Sequence, residues 1–312
     1  MIAAPAFGCP DEYSDRLGDG DFWRPYAELA LNLSGLSATG ELQSGFVGTY
    51  PTLLGDDLVI KMFGHFGDWR RSYRAELAAN RTIAQDPRIL APRQIATGEL
   101  FPDSDHNWPY LISERLDGSA WREARLSLSP EQRNGIAVEV GRQIRLVHHQ
   151  AAADGIQVRD DHRVDQSEVM RRHRHWAESG RRGALSGRLI DQIPSYLDDY
   201  RVGSRCMVHA DLTEDHIFVR DGKLIGVIDW GDAMITDPYY ELGALHLGAF
   251  AADRQLLGSF LDGYGWTVDQ TFVRHAMQVA LMHDFDLFSA VSSLCAEADS
   301  LDDLADRLWR PG

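Results

Sequence analysis

An aspartate in a loop, an imidazole a few residues on and a second aspartate beyond a hairpin make a set that can move a proton and hold a cation. In this chain they are Asp211, His216 and Asp229, within the stretch Cys206 to Gly231. A carboxylate in a loop can accept the proton of an attacking hydroxyl, and a second carboxylate with a third ligand can hold a divalent cation. Ile217 to Arg220, Asp221-Gly222 and Lys223 to Ile228 read as a β-hairpin, because Asp-Gly favours a two-residue type I′ turn. That turn sets Arg220 opposite Lys223, so Phe218 faces Ile225 and His216 faces Val227. Asp229 then shares a face with His216 as a diagonal neighbour at roughly 7–8 Å. Ile217, Val219, Leu224 and Ile228 take the opposite, apolar face.

The chain has only two lysines, Lys61 and Lys223. Lys61 sits inside the apolar run Leu58 to Phe63, where an unpaired ammonium is costly and needs a carboxylate or phosphate. The helical pattern over 70–85 buries Tyr73, Leu77, Asn80, Ile83 and Ala84, and Glu76 lies on that stripe as a partner for the lysine. Ahead of the lysine strand comes Ser44-Gly45-Phe46-Val47-Gly48-Thr49. Ser44, Gly45 and Gly48 can let backbone N–H groups approach phosphate oxygens.

The elements that must carry these residues follow from periodicity. A helix over 21–36 has Phe22, Tyr26, Leu29, Ala30 and Leu33 on one stripe. Strands follow around the glycine turn and over 58–63, 89–96 and 108–116, with the helix at 70–85 among them. After Asp117-Gly118 the character changes. Ser129-Pro130-Glu131 opens a long helix to about Gln150, further helix covers 166–201, the β-segment 206–230 follows, and helices run to the end. The fold class is therefore α+β and bilobal. A small β-rich lobe, 1–113, carries the lysine, and a larger helical lobe, 114–312, carries the catalytic stretch.

The 312 residues suit two domains. With 44% hydrophobic and 25% charged residues the composition is that of a globular protein, which excludes a mainly disordered or fibrous chain. The net charge of −16 repels phosphate backbones and anionic lipids and suits a cationic small molecule. No nucleic-acid or membrane partner is expected. Cys9, Cys206 and Cys295 are too far apart for a disulfide framework or a zinc site, so a cytoplasmic setting is expected. The basic run Arg171-Arg172-His173-Arg174-His175, with Arg181 and Arg182, reads as a solvated face or as salt-bridge partners, and His148 and His149 as helix C-terminal residues.

Asp211, His216 and Asp229 lie in the order in which protein kinases set a catalytic-loop aspartate and two metal ligands. His209-Ala210-Asp211-Leu212-Thr213-Glu214-Asp215-His216, followed by Ile228-Asp229-Trp230, resembles the signature of the aminoglycoside phosphotransferases, small-molecule relatives of those kinases. Most of that family carries Asn where His216 stands. Phe22-Trp23-Arg24-Pro25, Val59 to Gly64, Trp108 to Leu111, Leu245 to Phe250, His283-Asp284-Phe285 and Leu308 to Pro311 are similar to the streptomycete hygromycin B branch.

The resemblance implies a protein-kinase-like fold and transfer of the γ-phosphate of ATP or GTP, with Mg2+ on His216 and Asp229. It implies Asp211 as catalytic base, His209 as brace of its loop, and Lys61 with Glu76 on the phosphates. Ser113 and Arg115, in Ser113 to Leu116, would offer backbone groups to the purine edge. The acceptor would be an aminoglycoside, hygromycin B at its 7″-hydroxyl if the nearest likeness carries through, with resistance as the outcome and a monomer as the acting form. Asp232, Asp237, Glu241, Asp284 and Asp286 are the acids placed to meet its ammonium groups, although Asp237 before Pro238 also reads as a helix N-cap. A kinase of a macrolide, a choline-like amine or another small alcohol, or a non-catalytic pseudokinase, remains open at this point.

Overall fold

The computed structural model of the chain describes residues 2–64, 67–102, 107–160, 164–179, 185–269 and 271–312. Arg181 and Arg182 of the basic run lie outside them. The chain opens with helices α1 (Pro10–Arg16) and α2 (Gly20–Leu33). A five-stranded antiparallel sheet follows, built from β1 (Gln43–Ser44), β2 (Thr52–Leu54), β3 (Leu58–Met62), β4 (Gln94–Leu100) and β5 (Trp108–Glu114) in the order β1-β2-β3-β5-β4. Helix α3 (Trp69–Ile83) interrupts it between β3 and β4.

Burial alternates along β3. Leu58, Ile60 and Met62 point into a core with Trp23 and Trp108, and Val59 and Lys61 point to the other face. This alternation is what brings Lys61 into the cleft. Two sequence expectations shift here. In α2 the buried stripe is Trp23, Tyr26, Ala27, Ala30 and Leu31, and Leu33 is exposed, because the helix packs its tryptophan rather than its phenylalanine side inward. The segment Ile89 to Arg93 is not strand; Ile89 N–H instead closes a turn onto the Asp86 carbonyl, and β4 starts at Gln94.

The remainder is largely helical. Strand β6 (Ser119–Ala120) leads into the short helix α4 (Trp121–Ala124), then the long α5 (Pro130–His148). The start of α5 is locked by a capping box between Ser129 and Gln132. Strand β7 (Gln157–Val158) precedes α6 (Gln166–Glu178), α7 (Gly187–Ile190) and α8 (Ile193–Leu197), so the helical stretch expected over 166–201 is three pieces. Strands β8 (Cys206–Val208), β9 (Ile217–Arg220), β10 (Lys223–Val227) and β11 (Met234–Thr236) follow. The chain ends with α9 (Tyr240–Leu242), a π-helical run Gly243–Ala249, α10 (Arg254–Tyr264), α11 (Phe272–Leu281), a 3-10 turn Phe288–Val291, α12 (Ser292–Glu297) and α13 (Leu301–Trp309).

Two three-stranded sheets, β10-β9-β6 and β7-β11-β8, frame the stretch 206–231. Helices α5 and α10 cross almost in backbone contact: a Cβ at Gly263 would lie 1.9 Å from the Val138 carbonyl oxygen, and one at Gly141 would lie 2.2 Å from that of Phe260. The main core runs through this lobe and takes in Ala78, Ala79 and Ile83 of α3. The inner stripe of α3 is Ala75, Glu76, Ala78, Ala79, Thr82 and Ile83. Tyr73 and Leu77 are only partly buried, against Phe63, because the helix is wedged between sheet and helical lobe and presents its small residues to both. Among the described residues no helix is long and apolar enough to cross a membrane.

Candidate functional site

The Asp-Gly turn has positive φ at both central residues (Asp221 52°, Gly222 72°), as a type I′ turn requires, and Arg220 pairs with Lys223. The expected register fails beyond Leu224. A bulge there pairs Phe218 with Gly226 and Ile217 with Val227, so Val227 rather than Ile228 joins Ile217, Val219 and Leu224 in the core. His216 now stands beside Ile228, whose N–H donates to the His216 carbonyl at 3.0 Å. Asp229 leaves the strand at φ 63°. Bulge and turn together bring its Oδ2 to 3.8 Å from His216 Nε2.

The loop between β8 and β9 is held from inside. Buried His209 packs on Trp230 (4.5 Å), places Nε2 2.8 Å from the Ile228 carbonyl oxygen, and accepts from the Asp211 N–H on Nδ1 at 3.3 Å. The carbonyl can only accept, so the proton sits on Nε2, and burial pushes this imidazole down to about 4, keeping it neutral. Between His209 and Asp211, Ala210 is held at φ 71°, a conformation an alanine keeps only when its surroundings impose it. The Asp211 side chain is 28% exposed at the cleft. Burial first, and then Asp232, Asp229 and Asp215, raise it to about 6 against the pull of His216.

Lys61 Nζ donates at 2.7 Å to Glu76 Oε2 and at 2.7 Å to Asp229 Oδ1, and lies over the rings of Phe63 and Tyr50 at 5.2 and 5.7 Å. Burial works against its charge, but the two carboxylates outweigh that and raise it. Asp229 is held down, burial notwithstanding, by Lys61 and His216, while burial raises Glu76 more than Lys61 lowers it. Asp232 borders the same cleft, 40% exposed and 3.9 Å from Arg71, raised by burial and by Asp229.

Four acids, Glu76, Asp211, Asp229 and Asp232, thus meet Lys61, His216 and Arg71 around one opening, an acidic concentration that a cation would help neutralise. Among the described residues no set of three or more His, Cys, Asp or Glu forms a metal cage. His216 Nε2 and Asp229 Oδ2 are nonetheless close enough for one ion with ordinary bonds of ~2.1 Å to touch both. The pair fits a two-ligand open site that leaves further positions for phosphate or water.

On the side of the glycine loop, Ser44 ends β1 and Gly45 N–H closes the hairpin onto the Thr52 carbonyl at 2.8 Å. Gly48 lies in open space, and Phe46 is 73% exposed at the tip. Tyr13 of α1 donates to the Thr49 carbonyl at 3.0 Å. Ser113 is held in β5 between Val59 and Gln94. Arg115 donates its N–H to the Asp57 carbonyl at 2.9 Å and its guanidinium to that of Gly55 at 2.8 Å, so both groups are spent on the protein.

The acids expected to meet a substrate do not all face one. Asp237 is 2% exposed and accepts from His275 Nε2 (2.8 Å), Tyr200 Oη (3.3 Å) and the Tyr239 N–H (3.0 Å). Its place as an Asx-type cap takes it out of solvent. Glu241 is 1% exposed, accepts from the His209 N–H at 2.8 Å and faces His148, so it supports the Asp211 loop from behind. Asp284 is 49% exposed but already paired with Arg159 (3.2 Å) and Arg172 (3.7 Å), and it accepts from Tyr240 Oη at 3.1 Å. Asp286 caps the 3-10 turn through the Ser289 N–H. The helices expected to run to the end of the chain are interrupted here, because α11 stops at Leu281 and the 3-10 turn begins at Phe288. Asp232 alone of the five lines the Lys61–Asp211 cleft.

Residues that sequence reasoning did not single out complete the loop. Arg122 forks onto Asp215 with two bonds of 2.6 Å, reaches Glu214 at 2.8 Å, and donates its N–H to the Glu214 carbonyl at 3.0 Å. Arg125 reaches Glu214 at 3.3 Å. One turn of helix thus straps the loop between Asp211 and His216. The one available signal was a pair of arginines three apart before a catalytic loop with two extra acids, and only the fold shows that they meet. Arg122→Ala should lower turnover about 10- to 100-fold through misplacement of Asp211, and Arg122→Lys should not restore it, having no fork. Steady-state kinetics with circular dichroism check this; unchanged turnover in a folded Ala variant refutes it. The other basic residues behave as salt-bridge partners, Arg171 with Glu168, Arg174 with Asp191 and Arg172 with Asp284.

Comparison with known proteins bears on the fold and the family. In fold the chain is similar to the GDP and kanamycin complex of APH(2")-IIIa, with a TM-score of 0.64, 16% identity, and coverage of 91% of this chain and 95% of that one. It is also similar to the macrolide 2'-phosphotransferase MphH of Brachybacterium faecium, with a TM-score of 0.56, 17% identity, and coverage of 94% and 99%. Among curated proteins it is 23% identical over 234 residues to the lysine-specific demethylase JMJ21 of Arabidopsis thaliana. That match covers 60% of this chain and spans about a quarter (24%) of the length of the relative. Residues 46–278 match the family model described as the phosphotransferase enzyme family, APH. With that match running from the glycine loop into α11, the chain belongs to the APH phosphotransferase family.

Proposed function

We propose that the chain transfers the γ-phosphate of ATP or GTP to a hydroxyl of a cationic antibiotic of the aminoglycoside class. The observation that carries this is the convergence of Lys61, Glu76, Asp229, His216 and Asp211 on one cleft from elements far apart in order. Lys61, positioned by Glu76, binds phosphate oxygens. A divalent cation on Asp229 and His216 supplies neutralisation of the phosphate charge. Asp211 Oδ accepts the proton of the acceptor hydroxyl as its oxygen bonds to the γ-phosphorus. The bond from that phosphorus to the β–γ bridging oxygen breaks, and the nucleoside diphosphate leaves with the electron pair. Catalysis is positioning plus charge stabilisation. His209, Glu241 and Arg122 act only through the loop that carries Asp211. In this reading residues 1–113 form the nucleotide lobe and 114–312 the catalytic and acceptor lobe.

The acceptor we propose is hygromycin B, on the likeness of Leu245 to Phe250, His283 to Phe285 and Leu308 to Pro311 to that branch. A fold neighbour solved with GDP and kanamycin supports the class, and one named for macrolides supports a kinase of another cationic alcohol as second reading. Asp232 and Asp211 supply the acidic wall. Release of nucleoside diphosphate, with mass analysis of the acceptor, over an antibiotic panel tests the proposal. Hygromycin turnover that Asp211→Asn abolishes is expected. Turnover with macrolides or other alcohols alone overturns the acceptor, and nucleotide binding without any transfer overturns the reaction.

A further inference from the structure

This inference rests on the reading of the cleft as the place of phosphoryl transfer and adds a residue to it. We propose that Arg71, in the first turn of α3, binds the γ-phosphate and offsets the charge on it during transfer.

The balance of charge asks for such a group. Glu76, Asp211, Asp229 and Asp232 border the opening, and its strong bases are Lys61 and Arg71. A triphosphate brings more negative charge than one divalent cation removes. Lys61 is already shared between Glu76 and Asp229, at 2.7 Å each. Arg71 is not spent in this way. Its Nη2 lies 3.9 Å from Asp232 Oδ1, beyond hydrogen-bond reach, and its Nε is shielded from water with no partner among the described residues. A shielded N–H without an acceptor is unfavourable and marks a missing one. Arg115 and Arg122, by contrast, have their donors taken by Gly55 and by Asp215.

The position suits a phosphate. A Cβ at Gly231 would lie 3.4 Å from Asp229 Oδ1, 3.4 Å from Glu76 Oε2 and 3.8 Å from Ser72 Cβ, so α3 abuts the segment after Asp229 at Ser72. Arg71 is the next residue along, with 39% of its side chain exposed at the lip. Asp232, which it faces, is one of the acids that press on Asp211, so Arg71 borders the space between Lys61 and Asp211. The first turn of α3 has no acid and carries Arg70 and Arg71, against the usual preference for Asp or Glu at the positive end of a helix. Arg70 lies over the Trp69 ring at 4.2 Å, which leaves Arg71 to be satisfied. An anion answers both the helix end and the guanidinium, and the guanidinium fork matches two phosphate oxygens.

The test uses the full chain with Mg2+, ADP and a non-hydrolysable ATP analogue, with the guanosine pair in parallel. Calorimetric titration gives the ratio of triphosphate to diphosphate affinity, which reads contacts to the γ-phosphate alone. That ratio should fall about tenfold or more in Arg71→Ala, while diphosphate affinity stays within about twofold. Arg71→Lys keeps the charge, loses the fork and should regain only part of the ratio. A readout on the unsubstituted chain covers an alanine variant that does not fold. With arginine labelled in 15N, the Arg71 Nε–H resonance, identified by its absence from Arg71→Lys, should move with the triphosphate analogue and not with the diphosphate. An unchanged ratio in folded Arg71→Ala, equal loss of diphosphate and triphosphate affinity, or a resonance indifferent to the γ-phosphate overturns the proposal. An unsubstituted chain that binds neither nucleotide pair overturns the reading of the cleft itself, so the two failures are told apart.

Discussion

Asp211→Asn should cut turnover by about 10²–10⁴-fold and yet make the metal-free chain harder to unfold at pH 8. The two effects share a cause. In the proposed reaction, removing the carboxylate removes the proton acceptor, and it also removes a charge that burial and three neighbouring aspartates disfavour. Asp211 is raised from 3.8 to about 6 in the folded chain. A carboxyl whose folded value lies above its unfolded value withdraws stability as pH rises between the two. Its cost is absent below about pH 4 and complete above about pH 6–7, where two units correspond to up to about 3 kcal/mol. The gap in melting temperature between variant and parent, measured with chelator present, should therefore open across that window and stay open above it. Turnover of the parent should fall on acidification, because a protonated Asp211 cannot accept. A variant less stable than the parent at pH 8, or one that still turns over, contradicts the placement of this carboxylate.

Lys61→Met should abolish nucleotide binding and lower stability by about 2–4 kcal/mol at pH 8. The range allows for the solvent exposure of the Asp229 side chain (41%), which screens half of the arrangement. Lys61 donates to both Glu76 and Asp229, so its loss leaves two carboxylates facing each other with no cation. Glu76, already raised by burial, then rises further. By the same sign rule the deficit is largest at high pH and shrinks on acidification, as Glu76 takes up a proton. Lys61→Met with Glu76→Gln should regain much of the stability and none of the nucleotide binding. Calorimetry across pH, with titration of a nucleotide analogue, separates the two. Equal stability of Lys61→Met and parent at pH 8 would show that the lysine does not neutralise this pair.

The catalytic stretch was legible because its chemistry is local. An Asp-Gly turn, an alternating strand and a lysine in an apolar run are patterns a few residues long, and backbone geometry turns them into structure almost unaided. The acceptor acids were not legible in this way. Asp237, Glu241 and Asp284 look alike as acids in sequence, but one caps a turn beneath His275, one holds the His209 N–H, and one is neutralised by Arg159 and Arg172. The difference lies wholly in partners distant along the chain. The bulge that moved Val227 inward was likewise invisible, since β10 was free to take either register until Ile217 and Val219 met the lobe core.

Taken alone, the order of residues determined the α+β class, the Lys61–Glu76 pair and the succession of Asp211, His216 and Asp229. Only tertiary packing decided that Lys61 also holds Asp229, that Arg122 straps the loop, and which acids remain open to a ligand. A charge's role is set by what surrounds it at a few ångströms, and for Lys61 and Asp229 those surroundings come from opposite lobes, 168 residues apart along the chain.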